Sequence, residues 1–240
     1  MRAVISFHAI DDGPPPLSLA RDRFEMLIHE LSRSDLPIVD LPTLLAPETK
    51  KGVALTFDDG FMSVYSAALP VMRDYDVPAH LFLTTSSVGE VNTWASQPAI
   101  TSRSAMLGWR DVEKLHEAGV RIEGHTADHP DLRRLDDGAI LEQMTSADDL
   151  IERRLGRRPC YFAYPYGYHN ARVRRLASER YEGCVTTEFR TLGSNDRREA
   201  IPRLDSYYLQ SRVLVRHLDS FPAELYLSLR NLIRVIRRRS

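Results

Sequence analysis

Short apolar runs rich in β-branched and aromatic residues recur along the chain: AVISF (3–7), VALTF (53–57), AHLFLTT (79–85), VRIEG (120–124), YFAY (161–164) and CVTT (184–187). Runs of this length and composition read as strands. Between them the apolar period lengthens. Phe24, Leu27, Ile28 and Leu31 recur at i, i+3, i+4 and i+7, which predicts a helix over 23–31. A second helix is predicted over 109–118, with Val112, Leu115 and His116 on one side and charges on the other. Residues 138–156 and 171–181 complete the helical set, the first closing on Gly156 as a glycine-terminated helix should. Strands alternating with helices imply βα units and a parallel sheet or barrel. Two stretches break the pattern. The run DDGPPPLSL (11–19) is a loop, because consecutive prolines lack donors and fix φ. Residues 86–108 show no clear period, and an aperiodic stretch of that length is expected to serve function, here as one wall of a cleft.

Composition narrows this picture. A chain of 240 residues, 43% hydrophobic and 27% charged, can bury a full core as one domain. A formal charge of −1 gives no pull toward nucleic acid, so that partner is not expected. Cys160 and Cys184 are too few for a disulfide framework and are expected to be buried free thiols. No apolar run is long enough for a signal-peptide core or a bilayer span, so the sequence reads as soluble and cytoplasmic.

Candidate chemistry gathers where predicted strands end. VALTFDDGF (53–61) finishes in Asp58 and Asp59, and two adjacent like charges resist joint ionisation unless a cation or proton neutralises them. Neighbouring strand residues point to opposite faces, so both carboxylates reach one site only if the backbone turns, which Gly60 permits. In EGHTADHPDL (123–132), His125 and His129 converge on one ion if the residues between them form a helical turn. Two imidazoles and one carboxylate suit Zn²⁺ and leave a coordination position open, with the second carboxylate free to act as a base. In YFAYPYGYHN (161–170), Pro165 and Gly167 shape a tight turn from which the backbone N–H of Tyr166 can meet an oxyanion.

At these three motifs the sequence resembles the polysaccharide deacetylase family, carbohydrate esterase family 4. TFDDG (56–60), HTADH (125–129) and YPYG (164–167) match its first three motifs in order and spacing. The resemblance implies a distorted (β/α)7 barrel in a single domain over 1–240, with Asp58 as catalytic base and Asp59, His125 and His129 as ligands of a divalent metal. That metal is expected to be Zn²⁺, with Co²⁺, Ni²⁺ or Mn²⁺ able to share the ligands. The implied activity is removal of N-acetyl groups from an amino-sugar oligo- or polysaccharide or a lipid-linked sugar. Its rivals are O-acetyl ester hydrolysis and a silent carbohydrate-binding barrel. The family usually opens its third motif with an arginine that orients the base, where this chain has Ala163; Arg203 either substitutes for it or faces solvent. For the family's general-acid histidine the sequence offers His217, but the context there reads as helical and a structural role is the expectation, which leaves the acid unassigned. His8 lines the same barrel face or sits in the core, and Trp109 stacks on a sugar or packs internally.

The C-terminal segment, at about 222–239, places Leu225, Leu229, Leu232, Ile233 and Ile236 on one stripe opposite several arginines. Such a helix either packs its stripe on the barrel or lies on an anionic membrane. Packing is the expectation.

Overall fold

A computed structural model describes residues 1–95, 97 and 103–239. In chain order the regular elements are β1 (Arg2–Phe7), α1 (Arg21–Ser32), α2 (Leu41–Leu45), β2 (Gly52–Asp59) and α3 (Leu69–Asp74). They continue with β3 (Ala79–Leu83), α4 (Trp109–Glu117), β4 (Arg121–Gly124), α5 (Asp137–Leu155), β5 (Tyr161–Ala163), α6 (Ala171–Ser178) and β6 (Gly183–Val185). The last three are β7 (Leu204–Asp205), α7 (Arg212–Arg216) and α8 (Phe221–Arg239).

Seven parallel strands run in the order β6-β5-β4-β3-β2-β1-β7. The two edges meet where Val185, at the end of β6, bridges Ile201, just before β7. The sheet thereby curls into the distorted (β/α)7 barrel that the resemblance implied, with helices outside. Alternation along the strands sorts the side chains. Ala3, Ile5 and Phe7 of β1 and Val53, Leu55 and Phe57 of β2 enter the outer core with Phe24, Leu27, Ile28 and Leu31 of α1. Val4 and Ala54 face inward with Phe82, Tyr161, Val185 and Ile201. Every residue of β2 is buried, as expected of a central parallel strand covered on both faces. Small inward residues on β1 and β2 leave the barrel interior room for a long side chain.

The helices stop where local chemistry requires. Asp136 caps α5 by accepting from Ala139 N at 2.8 Å, and Gly156 ends it at φ 70°, the left-handed region that glycine enters without a Cβ penalty. Asn170 caps α6 in the same way through Val173 N. The cysteines are free; Cys184 is buried, whereas Cys160 is only half-buried, contrary to expectation.

The C-terminal helix also departs from the expected packing. α8 buries Ala223 and Leu227, while Leu225, Leu229, Leu232 and Ile236 stay 55–60% exposed. Arg234 also turns inward, pairing with Asp205 at 3.0 Å and lying over Phe189 and Tyr208, while Arg230, still exposed, lies over Tyr208 and the helix's own Tyr226. Aromatic faces on the barrel attract guanidinium groups, which fixes the helix with its apolar stripe outward. Among the described residues no helix is long and apolar enough to cross a membrane.

Candidate metal centre and active site

The aspartate pair sits at the C-terminal end of β2, and the backbone turns at Asp59 itself. Asp59 has φ 72° and Gly60 φ 101°, and Gly60 N donates back to Asp58 O at 2.9 Å. This reversal brings together two carboxylates that a regular strand would send to opposite faces. Aspartate tolerates the left-handed conformation better than most residues, and a side chain at Gly60 would collide with Leu83.

Asp58 continues the inward face of β2 and meets Arg203, which immediately precedes β7. The guanidinium donates from Nη1 to Oδ1 and from Nη2 to Oδ2, both at 2.7 Å. The same group donates from Nε to Thr186 O at 2.9 Å and from Nη1 to Thr56 Oγ1 at 3.2 Å. Both partners are buried, Arg203 at 2% and Asp58 at 3% exposure. Burial alone would push the Asp58 carboxyl up, but the Arg203 charge and its two hydrogen bonds hold it below the ordinary carboxylate range. The arginine missing at position 163 is thus replaced in space from a later strand. Ala163 serves another partner, its carbonyl accepting from His125 Nδ1 at 2.7 Å.

His125 and His129 follow β4, yet no helical turn joins them. Thr126 and His129 adopt φ 67° and 55°, and Pro130 disfavours helix at the residue before it. The loop is instead held from outside. Ala127 N donates to Gln143 O, Asp128 N donates to Gln143 Oε1, and Gln143 Nε2 donates to Asp128 Oδ2, all between 2.7 and 3.0 Å. The result places both Nε2 atoms 3.3 Å from Asp59 Oδ1 and 3.1 Å from each other.

These three atoms test directly whether a cation fits. His125 donates its Nδ1 proton to Ala163 O, which turns its Nε2 towards Asp59 Oδ1. Two lone pairs at that distance repel unless a proton or a metal cation lies between them. Ligands bonded tetrahedrally to zinc at about 2.05 Å lie about 3.3 Å apart, which is the spacing found here. Burial would raise the Asp59 carboxyl, but its hydrogen bond with His125 and the imidazoles gathered around it keep it well below its usual range. Burial also lowers both imidazoles: His129 falls to about 3, while Asp59 and Asp58 bring His125 back above its ordinary value. In the absence of a metal, the positive charge that offsets Asp59 is therefore a proton on His125, the place a bound cation would take. Asp59, His125 and His129 form a group able to hold a metal ion among the described residues.

A cavity of about 300 Å³ opens on this cluster, with His8, Phe61, Asn92, Trp94, Tyr164, Tyr166, Gly167 and Thr187 in its walls beside Asp58, Asp59, His125 and His129. The His129 ring is held between Trp94 and Tyr166, with centroids at 4.6 and 4.4 Å. Tyr166 has φ 58° and Gly167 φ 70°, and a Cβ on Gly167 would collide with Thr187, so only glycine fits. Pro165 is buried at the start of this turn and shapes it without lining the cavity.

Trp109, expected to contact a sugar or pack internally, and His217, expected to be structural, both lie away from the cavity. Trp109 starts α4, packs against the outer core under Arg154 at 5.2 Å and does not line the cavity. The tryptophan that does is Trp94, from the aperiodic stretch expected to wall a cleft; positions 96 and 98–102 of that stretch lie outside the described residues. His217 is exposed at the end of α7 beside a different cavity. The additional imidazole in the site is His8, half-buried after β1, with Nε2 3.8 Å from Asp58 Oδ2.

Comparison with known proteins meets this geometry. The chain is 24% identical over 192 residues to YxkH of Bacillus subtilis (strain 168), which carries a polysaccharide deacetylase description; the match covers 77% of this chain and 64% of that protein. It is 24% identical over 204 residues to the poly-beta-1,6-N-acetyl-D-glucosamine N-deacetylase of Staphylococcus aureus (strain MSSA476), covering 78% and 67%. The chain therefore spans about two thirds of the length of these relatives. The structure of IcaB from Ammonifex degensii superposes with a TM-score of 0.73 at 22% identity, over 90% of this chain and 97% of that one. The family model described as polysaccharide deacetylase matches residues 46–180, a span that holds both aspartates, both histidines and the Pro165–Gly167 turn. The chain belongs to the polysaccharide deacetylase family.

Proposed function

We propose that this protein hydrolyses N-acetyl groups on amino sugars of a carbohydrate chain, using a divalent cation held by Asp59, His125 and His129. The name of the Staphylococcus aureus relative supports poly-N-acetylglucosamine as the substrate class. The observation that carries the reading is the division of labour between adjacent carboxylates. Asp59 faces two imidazoles, whereas Asp58 is gripped by Arg203 and open to the same cavity. Zinc suits this donor set best, with cobalt, nickel and manganese as substitutes.

When bound, the cation would supply Lewis acidity to the amide carbonyl and lower the pKa of a water molecule. The chain's own residues do the rest. Asp58, ionised at neutral pH, accepts the proton of the water that attacks the carbonyl carbon. Arg203 fixes the direction of its lone pairs, and the Tyr166 backbone N–H is assigned to the developing oxyanion. His8 protonates the departing nitrogen as the C–N bond breaks, releasing acetate and a free amine. The 3.8 Å between His8 and Asp58 gives the collected proton a short route to the leaving group. His8 thus takes the part that the sequence offered to His217.

The test is acetate and free-amine release from N-acetylglucosamine oligosaccharides, with and without a chelator. Equal amounts of both products, abolished by chelation and restored by Zn²⁺, are expected. Acetate without new amine would assign an ester substrate, and bound sugar without acetate at every metal loading would make the barrel a binding protein.

A further inference from the structure

We propose that the outward face of α8 docks this protein on an anionic lipid surface. Phe221, Leu225, Leu229 and Leu232 recur at i, i+4, i+8 and i+11, and they are 76%, 60%, 55% and 56% exposed. They form one stripe about 17 Å long at 1.5 Å per residue. Val213 on α7 adds another apolar side chain, 72% exposed, near the start of α8. A helix that only covers a core turns its stripe inward. Here the inward face is Ala223, Leu227 and the Arg234–Asp205 pair, so the helix is fastened to the barrel by its opposite side.

Charge selects the occupant. Residues 221–239 contain five arginines and one glutamate, Glu224, while the whole chain carries −1; the rest of the protein is therefore net negative. Arg234 is neutralised by Asp205 on the inward side, so the charge offered to a surface is chiefly that of Arg237, Arg238 and Arg239, which follow one another directly after the stripe in the sequence. A bilayer with acidic headgroups matches both parts: acyl chains receive the stripe, and lipid phosphates receive the positive charge. Pairing two copies stripe to stripe would bring two strongly positive helices together, which charge repulsion opposes. The net-negative barrel would face away from the same surface. This inference does not depend on the reaction in the cavity.

Co-sedimentation of the full chain with vesicles tests it. Vesicles of phosphatidylcholine and phosphatidylglycerol at about 7:3 are compared with phosphatidylcholine alone. Binding to the acidic vesicles should be at least about tenfold stronger and should weaken as salt rises from about 0.05 to about 0.5 M. The double substitution Leu229→Glu with Leu232→Glu should lower binding about tenfold or more, with circular dichroism and Tm unchanged because both side chains are already exposed. Equal binding by this variant, or no binding to acidic vesicles, overturns the proposal. So does a dimer in sedimentation velocity that the double substitution dissolves, since it would assign the stripe to a second copy.

Discussion

Replacing Arg203 separates orientation of the base from retention of the metal. Arg203→Met removes two charge-assisted hydrogen bonds of 2.7 Å and leaves Asp58 buried without its counter-charge. Breaking a buried pair in this way costs about 3–5 kcal/mol of stability. Arg203→Lys keeps the charge and loses the two-pronged grip, so it should be the milder variant. For catalysis, kcat/KM should fall by about 10²–10³, equivalent to about 3–4 kcal/mol, while metal content stays at the wild-type level. The pH dependence of stability provides an independent check on the metal-free protein. In the wild type the Asp58 carboxyl lies below its unfolded value of 3.8, so it contributes stability above that pH and loses it as pH falls through the folded value. Without Arg203, burial raises the carboxyl above its unfolded value, which gives a penalty that grows as pH rises. The Tm gap between wild type and Arg203→Met should therefore widen from about pH 4 to about pH 7. Wild-type kcat/KM in a folded Arg203→Met protein, or metal lost in proportion to activity, would show that the arginine does not act through Asp58.

Other substitutions address the remaining parts of the site. Asp59→Ala or His129→Ala should abolish zinc retention measured after dialysis, whereas Asp58→Asn should keep zinc and lose acetate release. His8→Gln should lower amide hydrolysis about 10²–10⁴-fold at unchanged metal content, yet spare an aryl acetate whose phenolate leaves without protonation; equal losses on both substrates would exclude a proton-donor role. Gly167→Ala should lower Tm and activity together, because φ 70° disfavours alanine and its Cβ meets Thr187. Asp148, behind β4, is raised by burial to about 6 despite hydrogen bonds from Tyr181 and Arg180. Its folded pKa exceeds the unfolded 3.8, so stability should decline as pH rises from 4 to 6, by up to about 3 kcal/mol, and Asp148→Asn should flatten that slope in denaturant titrations.

The strands were legible because each central run is apolar enough to be buried on both faces and ends in turn residues. β7 was not, since two residues carry no period and its place depends on the Val185–Ile201 contact that closes the barrel. α2 and α3 are five and six residues long, with proline in the first turn of each, so neither shows a full amphipathic repeat. At the site, Asp58, Asp59, His125 and His129 could be named from residue type and spacing, but the backbone that unites them could not. The turn falls on Asp59, and the histidine loop uses left-handed residues where i and i+4 spacing suggests a helix. Arg203 was balanced between cleft and solvent because its burial follows from barrel closure. Trp94 lay hidden in a segment without period, while Trp109 stood out at the start of a helix that packs it away from the cavity. The inward face of α8 depends on Phe189 and Tyr208, aromatic partners that the helix's own sequence does not reveal.

The contact between Asp58 and Arg203 joins positions 145 residues apart. On a ribosome, Asp58, Asp59, His125 and His129 have all been translated well before Arg203. At about 5–20 residues per second, Asp58 waits roughly 7–30 s for its partner. A nascent polypeptide can therefore gather the cation-binding loops early and still lack a correctly aimed proton acceptor.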